Sequence, residues 1–413
     1  MTTFIEFHAL RSFPPSNLNR DDLGSPKTAV FGGARRLRIS SQCLKRTWRM
    51  SEHFRGQFAE DQLGIRTARL PDQVLGKLGK EVDDVTKAGL LSLLSAIGRK
   101  KAVGGGDDDD GEGDADEAND GEGDGDTSRT AHLLYLSVQE INAVATFAKE
   151  NQEKLGKVLK KKKPDADAVK KLRKELETYL QEHTSKNAVD VGMFGRFVTS
   201  GEFDTVEGAL QVAHALGTQK VELEYDYFTA VDDLGEDPGA GHLGETEFAS
   251  SVLYLYACCD LAQLSANLGA RGKDGRVADE EARQLAKKSL PALVRAMAEA
   301  TPKGKKTGTA PHTPAEYVEV VVRRGAPLSF ANAFTKPVAA IEGDGDVMAA
   351  SIRRLANHRD RIETAYGRDT DTIARFVLCL RDVDGATPVN AGVVSIIELA
   401  TKLATQLDAL PKA

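Results

Sequence analysis

The first fifty residues have the hydrophobic pattern of a β-strand followed by a helix. From Thr3 to Leu10, aromatic and β-branched residues run without a breaker, which predicts a strand. After a polar stretch, Leu44 and Trp48 recur at i and i+4 behind Ser40, a favourable N-cap residue. The pattern therefore predicts an amphipathic helix that buries Leu44 and Trp48 and leaves its opposite face to solvent.

Helical spacing of apolar residues dominates the next part of the chain. Three segments, at 61–99, 130–148 and 166–182, carry apolar residues at helical intervals. We therefore expect one helical insertion over residues 57–188.

Shorter elements of both kinds are predicted further along the chain. In order, they are a buried strand over Val189–Met193, a short amphipathic helix over Val206–Leu216, a long hairpin or loop over Thr218–Glu247, a strand over Phe248–Leu261, a helix over Asp279–Ala300 and a strand over Tyr317–Val322. Strands and helices mixed in this way, with connections that allow antiparallel pairing, favour an α+β fold over a doubly wound one.

The net charge of the chain is informative once one acidic segment is counted separately. The chain has 413 residues and a formal net charge of −7. Gly104 to Asp126 contain twelve acids and no base, so the remaining residues carry +5. This segment has almost no apolar residues to bury, so we expect a disordered, solvated loop; an acidic mimic of nucleic acid is the alternative.

Several classes of protein are disfavoured by what the sequence lacks. Its four cysteines show no CxxC spacing, and no apolar run has the length of a membrane span. We therefore expect a cytoplasmic protein without a structural zinc. Phosphate-loop, dinucleotide, zinc-protease and hydrolase motifs are also missing. The acidic pairs Asp21-Asp22 and Asp232-Asp233 are more typical of turns than of a metal or catalytic site.

Basic residues concentrate between Pro14 and Arg49, and this cluster is the best candidate for a functional surface. Gly32-Gly33 lets the backbone approach another segment closely or adopt positive φ. Cations at the start of the Ser40 helix suit a bound phosphate, although a solvated face remains the alternative. The lysines between Lys154 and Lys163 leave the same two interpretations open, and the adjacent Arg196 and Phe197 are either a nucleotide clamp or core residues.

The chain also resembles a known family, the CasC-type backbone subunits of type I-E CRISPR Cascade complexes. The motifs that carry the resemblance occur in the family's order over nearly the whole chain: PPSNLNRDD, FGGARRLRISSQCLKR, GRFVTSG, YFTAVDDL, HLGETEFASSVLY, LAQLSANLG and PLSFANAF. The sequence departs from the family in its acidic insertion and in a Lys/Gly loop at Lys303–Thr309.

The resemblance implies an α+β fold with the parts of a hand. It implies an RRM-like (ferredoxin-like) palm over 1–56, 189–213 and 250–413, a helical finger insertion over 57–188 and a thumb-like hairpin over 214–249. The disordered acidic loop would occupy about 103–127 within the finger.

The resemblance further implies the residues that hold nucleic acid. The expected RNA-binding residues are Asn19, Arg20, Lys27, Arg36, Arg38, Ser40, Gln42, Lys45, Arg46, Arg49, Arg196, Phe197, Phe228 and Thr229. The expected contacts to target DNA are Lys157, Lys160, Lys161 and Lys162. No catalytic residue, metal or cofactor is expected.

The implied partners are those of an antiviral ribonucleoprotein. They are the CRISPR RNA, target DNA paired to that guide, further copies of this chain, the large, small, head and tail Cascade subunits, and a helicase-nuclease recruited by the whole complex. Two other functions remain open: a guide-dependent RNA endonuclease, as in type III backbone subunits, and a stand-alone RNA-binding module.

Overall fold

A computed structural model describes residues 2–79, 82–95, 97, 129–130, 133–158, 166–184, 188–198, 201–231, 240–269, 280–343 and 345–410. The predicted disordered acidic loop lies outside these residues. The chain divides into two compact units, one made of Met1–Gln57, Leu210–Ala262 and Lys287–Ala413, the other of Phe58–Ala209 and Gln263–Ala286. Residues 189–209 thus group with the helical unit, whereas the resemblance implies a place in the palm, and the hairpin groups with the sheet.

The first unit is built on one antiparallel sheet. Within the described residues its strands are β1 (Thr3–Ser16), β2 (Thr28–Phe31), β3 (Ala34–Ile39), β6 (Leu210–Val212), β7 (Ala215–Gly217), β8 (Glu224–Val231), β9 (Ala240–Asp260), β10 (Tyr317–Arg324) and β11 (Thr372–Cys379). They follow the order β11-β10-β1-β9-β7-β3-β2, with β6 and β8 also paired to β9. The α+β class predicted from the sequence is confirmed.

The first strand lies in the middle of this sheet. Phe7 pairs with Val320 of β10 on one side and with Ala257 of β9 on the other. Ile5, Phe7 and Ala9 on one face are buried, and so are Glu6, His8 and Leu10 on the other, so the strand is covered on both sides. The central position explains why the N-terminal hydrophobic run was readable as a strand without further context.

Helices flank the sheet. In the first unit they are α1 (Ser41–Arg49), α2 (Glu52–Arg55), α11 (Lys306–Thr309), α12 (Val347–Ala365) and α13 (Ile396–Asp408), while α9 (Leu261–Leu268) and α10 (Glu280–Glu299) contribute residues to both units. A core formed by Leu10, Tyr254, Tyr317 and Ile352, among others, joins α12 to β1, β9 and β10.

Charged side chains are buried where α12 meets the sheet, and no local pattern in the sequence indicates them. Arg323 of β10 contacts Glu6 of β1 at 3.0 Å and Glu363 of α12 at 2.7 Å. Arg375 of β11 contacts Glu319 of β10 at 3.0 Å. This network ties three neighbouring strands to one helix.

The second unit is mainly helical. Its described elements are α3 (Leu70–Leu78), α4 (Asp84–Ser95), α5 (Val138–Glu150), α6 (Gln152–Val158), α7 (Ala166–His183) and α8 (Val189–Phe194), with a two-stranded sheet of β4 (Ile65–Thr67) and β5 (Leu134–Leu136). Its core contains Val74, Leu94, Val144 and Leu176, which come from four different helices. None of the described helices is long and apolar enough to cross a membrane.

Two predicted elements were of the wrong type, and the helical segments predicted at 61–99 and 130–148 also contain the short strands β4 and β5. Val189–Met193 is not a strand but part of α8, whose residues are buried on all sides, so alternation of apolar residues carried no information there. Val206–Leu216 is not a helix: Leu210 pairs with Cys259 and Leu216 with Tyr254, so the segment supplies β6 and β7. Pairing with β9 overrides its helical spacing.

Candidate nucleic-acid interface

The polar loop between β1 and β2 is held in place by asparagine side chains. Asn19 Oδ1 accepts a hydrogen bond from the Ser40 N–H at 2.9 Å, and the Asn19 carbonyl accepts one from the Lys27 N–H at 2.8 Å. Asn19 and Ser40 are buried, whereas Arg20 is exposed and Lys27 is half-buried. Asn19 therefore positions the loop and connects it to the start of α1.

Asn17 is a positioning residue that the sequence did not single out. Its Nδ2 group donates to the carbonyls of Gly24, at 2.9 Å, and Glu247, at 3.0 Å. The first bond closes the loop and the second ties it to β9 at the base of the hairpin. The turn-rich context of Asn17 was the available signal, but its partner lies 230 positions away.

Helix α1 has the two faces that its sequence predicts. Ser40 is the N-cap, and its side chain accepts the Cys43 N–H at 3.3 Å. Leu44 and Trp48 are buried, which confirms the predicted apolar face. On the other face Gln42, Lys45 and Arg49 are half-buried and Arg46 is exposed.

Two cations of this face have no acidic partner among the described residues. Neither Lys45 nor Arg46 forms an ion pair with any residue in the described ranges, and the same holds for Arg20 and Lys27. Burial lowers the pKa of Lys45, so its charged form is disfavoured in the isolated chain. A phosphate at this face would relieve that cost.

Two arginines of β3 that look alike in the sequence have different roles. Arg38 is half-buried, donates to the Thr28 carbonyl at 3.1 Å and lies 3.1 Å from His214 Nδ1. Arg36 is fully buried and donates to the carbonyls of Gly217, Thr218, Phe334 and Thr335. The prediction that Arg36 contacts RNA is therefore corrected: its guanidinium is occupied inside the protein.

The turn between β2 and β3 depends on both of its glycines. Gly32 and Gly33 have φ of 58° and 75°, a backbone conformation typical of a two-residue hairpin turn. A Cβ at Gly32 would lie 1.6 Å from the Thr335 carbonyl oxygen. Both predicted reasons for this glycine pair, close approach and positive φ, are confirmed.

Arg196 and Phe197 belong to the second unit and point to different environments. Arg196 is buried, pairs with Glu140 at 2.8 Å and donates to the carbonyls of Tyr135 and Asp204. Arg196 thus connects three segments of the second unit, and its guanidinium is not available to a phosphate. This corrects the prediction that Arg196 binds RNA. Phe197 is 80% exposed, so it is free of the core and available to a base.

The hairpin of β8 and β9 exposes aromatic rings on both of its faces. All side chains from Glu224 to Thr229 are exposed, and Phe228 pairs across the ribbon with Gly244. The Phe228 ring covers that glycine, because a Cβ at Gly244 would lie 2.3 Å from the ring's Cζ. Tyr225 and Tyr227 alternate with Phe228 along β8, so they lie on the opposite face. The predicted hairpin and its exposed aromatics are thus present.

Of the four lysines expected to contact target DNA, the structure describes one. Lys157 lies on α6, is exposed and is 3.7 Å from Glu153, which is also exposed. An exposed ion pair of this kind contributes little to the stability of the fold, and the lysine stays accessible to a ligand. Lys160, Lys161 and Lys162 lie outside the described residues.

Comparisons with known proteins identify one family and similar chains in solved structures. A family model described as "CT1975-like protein" matches residues 5–401. A solved structure titled "CRISPR RNA-guided surveillance complex, pre-nicking" contains a chain 27% identical, with a TM-score of 0.75, over 98% of this chain and 100% of that one. A second, titled "CRISPR RNA-guided surveillance complex", is 23% identical, with a TM-score of 0.65 over 98% and 99%, and shows the fold alone. A search of curated proteins finds no match.

Proposed function

The chain belongs to the CT1975-like protein family, and from this membership we propose that it is a CRISPR RNA-binding subunit of a Cascade-type surveillance complex. The similarity to a chain of such a complex over its full length supports the assignment. The observation that carries it is the basic face of α1 beside the loop of Arg20 and Lys27, with Lys45 and Arg46 unpaired within the described residues.

The proposed interface binds phosphates rather than bases. The loop and the helix start that carry its cations are fixed by the hydrogen bonds of Asn19 and Ser40, so the guide meets a backbone that is already in place. Phosphate contacts fix the register of a strand without reading its sequence, and base pairing with the target supplies specificity. One protein can then carry any guide.

The finer assignment is a type I-E, CasC-type backbone subunit, of which several copies bind one guide as a helical filament. Each hairpin would reach the guide held by a neighbouring copy and insert Phe228 and Thr229 between bases. Unstacking a base costs a few kcal/mol, which contact with an aromatic ring offsets in part. The exposed Phe197 would contact a base in the same manner.

We propose a binding function without catalysis, metal or cofactor. The alternative, an RNA endonuclease of the type III kind, needs a loop aspartate free to act. Asp21 Oδ1 accepts hydrogen bonds from the N–H groups of Leu23 and Ser25, at 3.1 and 2.9 Å, as in an ordinary turn, which supports a structural role for this aspartate. Asp232 and Asp233 lie outside the described residues.

The proposed partners follow from the same function. They are the guide RNA, target DNA paired to it and held partly by the Lys157–Lys162 segment, the other Cascade subunits, and a helicase-nuclease recruited to the complex in the cytoplasm. A stand-alone RNA-binding module would need none of these proteins.

Reversal of charge on α1 tests the proposal. We expect Lys45→Glu with Arg46→Glu to weaken binding of unrelated single-stranded RNAs equally, and to reduce the slope of log affinity against log salt by roughly 0.7 per lost contact. Arg361→Glu with Lys402→Glu, both exposed on α12 and α13, makes the same change in net charge and should have little effect. Equal losses in the two variants, or none in the first, would contradict the proposal.

A further inference from the structure

The Lys/Gly loop, which departs from the family pattern, lies beside the proposed guide-binding loop. We define the lysine loop as Thr301–Thr313, the connection between α10 and β10. Its Lys305 Nζ donates to Thr246 Oγ1 at 3.3 Å, at the base of the hairpin. Asn17 donates to the carbonyl of the neighbouring Glu247. The lysine loop, the hairpin base and the loop after β1 therefore meet at one place.

Buried Arg11 clamps both ends of the lysine loop to β1. Its guanidinium donates to the Ala300 carbonyl at 2.5 Å and to Thr301 Oγ1 at 2.7 Å, at the start of the loop. It also donates to the Thr313 carbonyl at 2.6 Å, at the end. Thr313 Oγ1 in turn donates to the Ser12 carbonyl at 2.5 Å. The loop is thus anchored at the strand that leads into the guide-binding loop.

Glycine at position 304 brings the two loops into contact. A Cβ there would lie 2.3 Å from the Leu18 carbonyl oxygen and 2.7 Å from that of Asn17. No side chain fits at that distance, so any larger residue must push the lysine loop away. Gly308 in the same loop has open space around its Cα, and it provides a matched control.

The backbone of the lysine loop is held in an unfavourable conformation. Lys305 and Ala310 have φ of 46° and 42°, in the left-handed region that is unfavourable for a non-glycine residue. Such strain persists where the surroundings fix the backbone, and it is often found at binding sites. In this conformation of the loop, the side chains of Lys303 and Lys305 are exposed and that of Lys306 is half-buried.

The three lysines of this loop have no acidic partner within the described part of the chain. None of Lys303, Lys305 and Lys306 forms an ion pair with a residue that the structure describes. The carboxylate of Asp21, in the loop after β1, is engaged by two backbone N–H groups of its own turn. Together with Arg20 and Lys27, the lysine loop places five cations around this surface.

We propose that Lys303, Lys305 and Lys306 form a second phosphate-binding site for single-stranded RNA, continuous with the loop of Arg20 and Lys27. The inference rests on the proposed function, because it extends the same guide-binding surface. Lysine suits this role, since its compact charge can follow a phosphodiester backbone without reading bases.

Two pairs of variants test the site, with the purified chain and unrelated single-stranded RNAs as probes. Lys303→Ala, Lys305→Ala and Lys306→Ala together should weaken RNA binding and reduce the salt slope by about 2, at roughly 0.7 per contact. The ion-paired control Lys287→Ala with Lys402→Ala should leave the slope unchanged. Gly304→Ala should weaken binding with every lysine present, and Gly308→Ala should not.

The outcomes separate this inference from the function on which it rests. An unchanged affinity in the lysine triple variant, with the expected loss in Lys45→Glu and Arg46→Glu, overturns the second site alone. No loss in either variant overturns both. Equal effects of Gly304→Ala and Gly308→Ala, in chains with equal melting temperatures, also contradict the second site, since they would show that the position of the loop is irrelevant.

Discussion

Lys45 shows how a binding residue can oppose the stability of its own fold. The side chain is half-buried, and burial lowers its pKa. A cation whose folded pKa lies below its unfolded pKa makes the folded chain less stable at neutral pH. That unfavourable contribution begins to fall as the pH rises past the folded pKa, and it is lost above the unfolded pKa, where the amine is neutral in both states.

We therefore predict that Lys45→Met raises the free energy of unfolding of the RNA-free chain at pH 7 while weakening RNA binding. The gain over the unsubstituted chain should shrink as the pH approaches the range in which lysine titrates. Urea unfolding at several pH values, combined with RNA affinity, checks both parts. A variant that is less stable at neutral pH, or that binds RNA normally, contradicts this explanation of Lys45.

At the residue scale, the sequence identified the basic surface but could not sort its members. Lys45 and Arg46 follow a helical pattern whose buried face is readable, so their place on the opposite face was predictable. The burial of Arg36 was not, because two of the carbonyls it binds belong to Phe334 and Thr335, almost three hundred residues away. Arg196 was ambiguous for the same reason, with Glu140 as its distant partner.

At the scale of elements, the hairpin of β8 and β9 joins its exposed aromatics to the sheet. β9 continues from the hairpin into the pairing with β1, so one strand connects the hairpin to the centre of the sheet. Phe228 is 44% exposed although its ring covers Gly244. The ring therefore packs against Gly244 and still has an exposed part that a base could contact.

We predict that Phe228→Ala with Thr229→Gly disturbs the order of assemblies on the guide while the free chain keeps its melting temperature. The reason is that both side chains lie outside the core and act only against a neighbouring guide segment. Electron microscopy of assemblies purified with guide RNA measures the effect. Tyr225→Ala, an aromatic truncation on the opposite face of the ribbon, is the control, and equal disorder in both variants contradicts a specific role of Phe228.

The elements that the sequence predicted correctly are those with a clear inner face. β1 and α1 have long or regular apolar patterns; the start of β1 at Thr3 was predicted correctly, although the strand continues beyond Leu10 to Ser16. β6 and β7 contain three residues each and exist because β9 offers them an edge, which no local pattern reveals. α8 was misassigned because all of its residues are buried.

At the scale of the whole molecule, the buried charges between α12 and the sheet make the first unit sensitive to acid. Burial alone would raise the pKa of Glu319, but Arg359 and Arg375 outweigh it, so its pKa lies below the usual value. A carboxylate of this kind stabilises the fold above its unfolded pKa, about 4.3, and the stabilisation is lost as the pH falls through the folded pKa.

We predict that Glu319→Gln lowers the free energy of unfolding at pH 7 by about 3 kcal/mol, because it removes the buried carboxylate that Arg359 and Arg375 share, although each arginine keeps one other acidic partner. The difference from the unsubstituted chain should narrow as the pH falls below about 4.3, where the carboxylate of the unfolded chain becomes protonated, and it should go on narrowing until the native carboxylate is protonated at its lower pKa. Urea unfolding at pH 7 and at pH 3.5 measures it. Glu398→Gln weakens the pair of half-buried Glu398 with exposed Lys402 on α13, while the amide can still accept the Val394 N–H, so it should cost far less. A constant difference across this range would contradict the assigned role of Glu319.

Above all, we propose that this chain holds CRISPR RNA within a multi-subunit complex. The most direct test is to express the chain with a CRISPR array and its partner subunits, purify the assembly and sequence the RNA that it retains. We predict one RNA class of uniform length that carries spacer sequences, present with several copies of the chain per RNA. A mixture of cellular RNAs, or a single chain bound per RNA, would contradict this function.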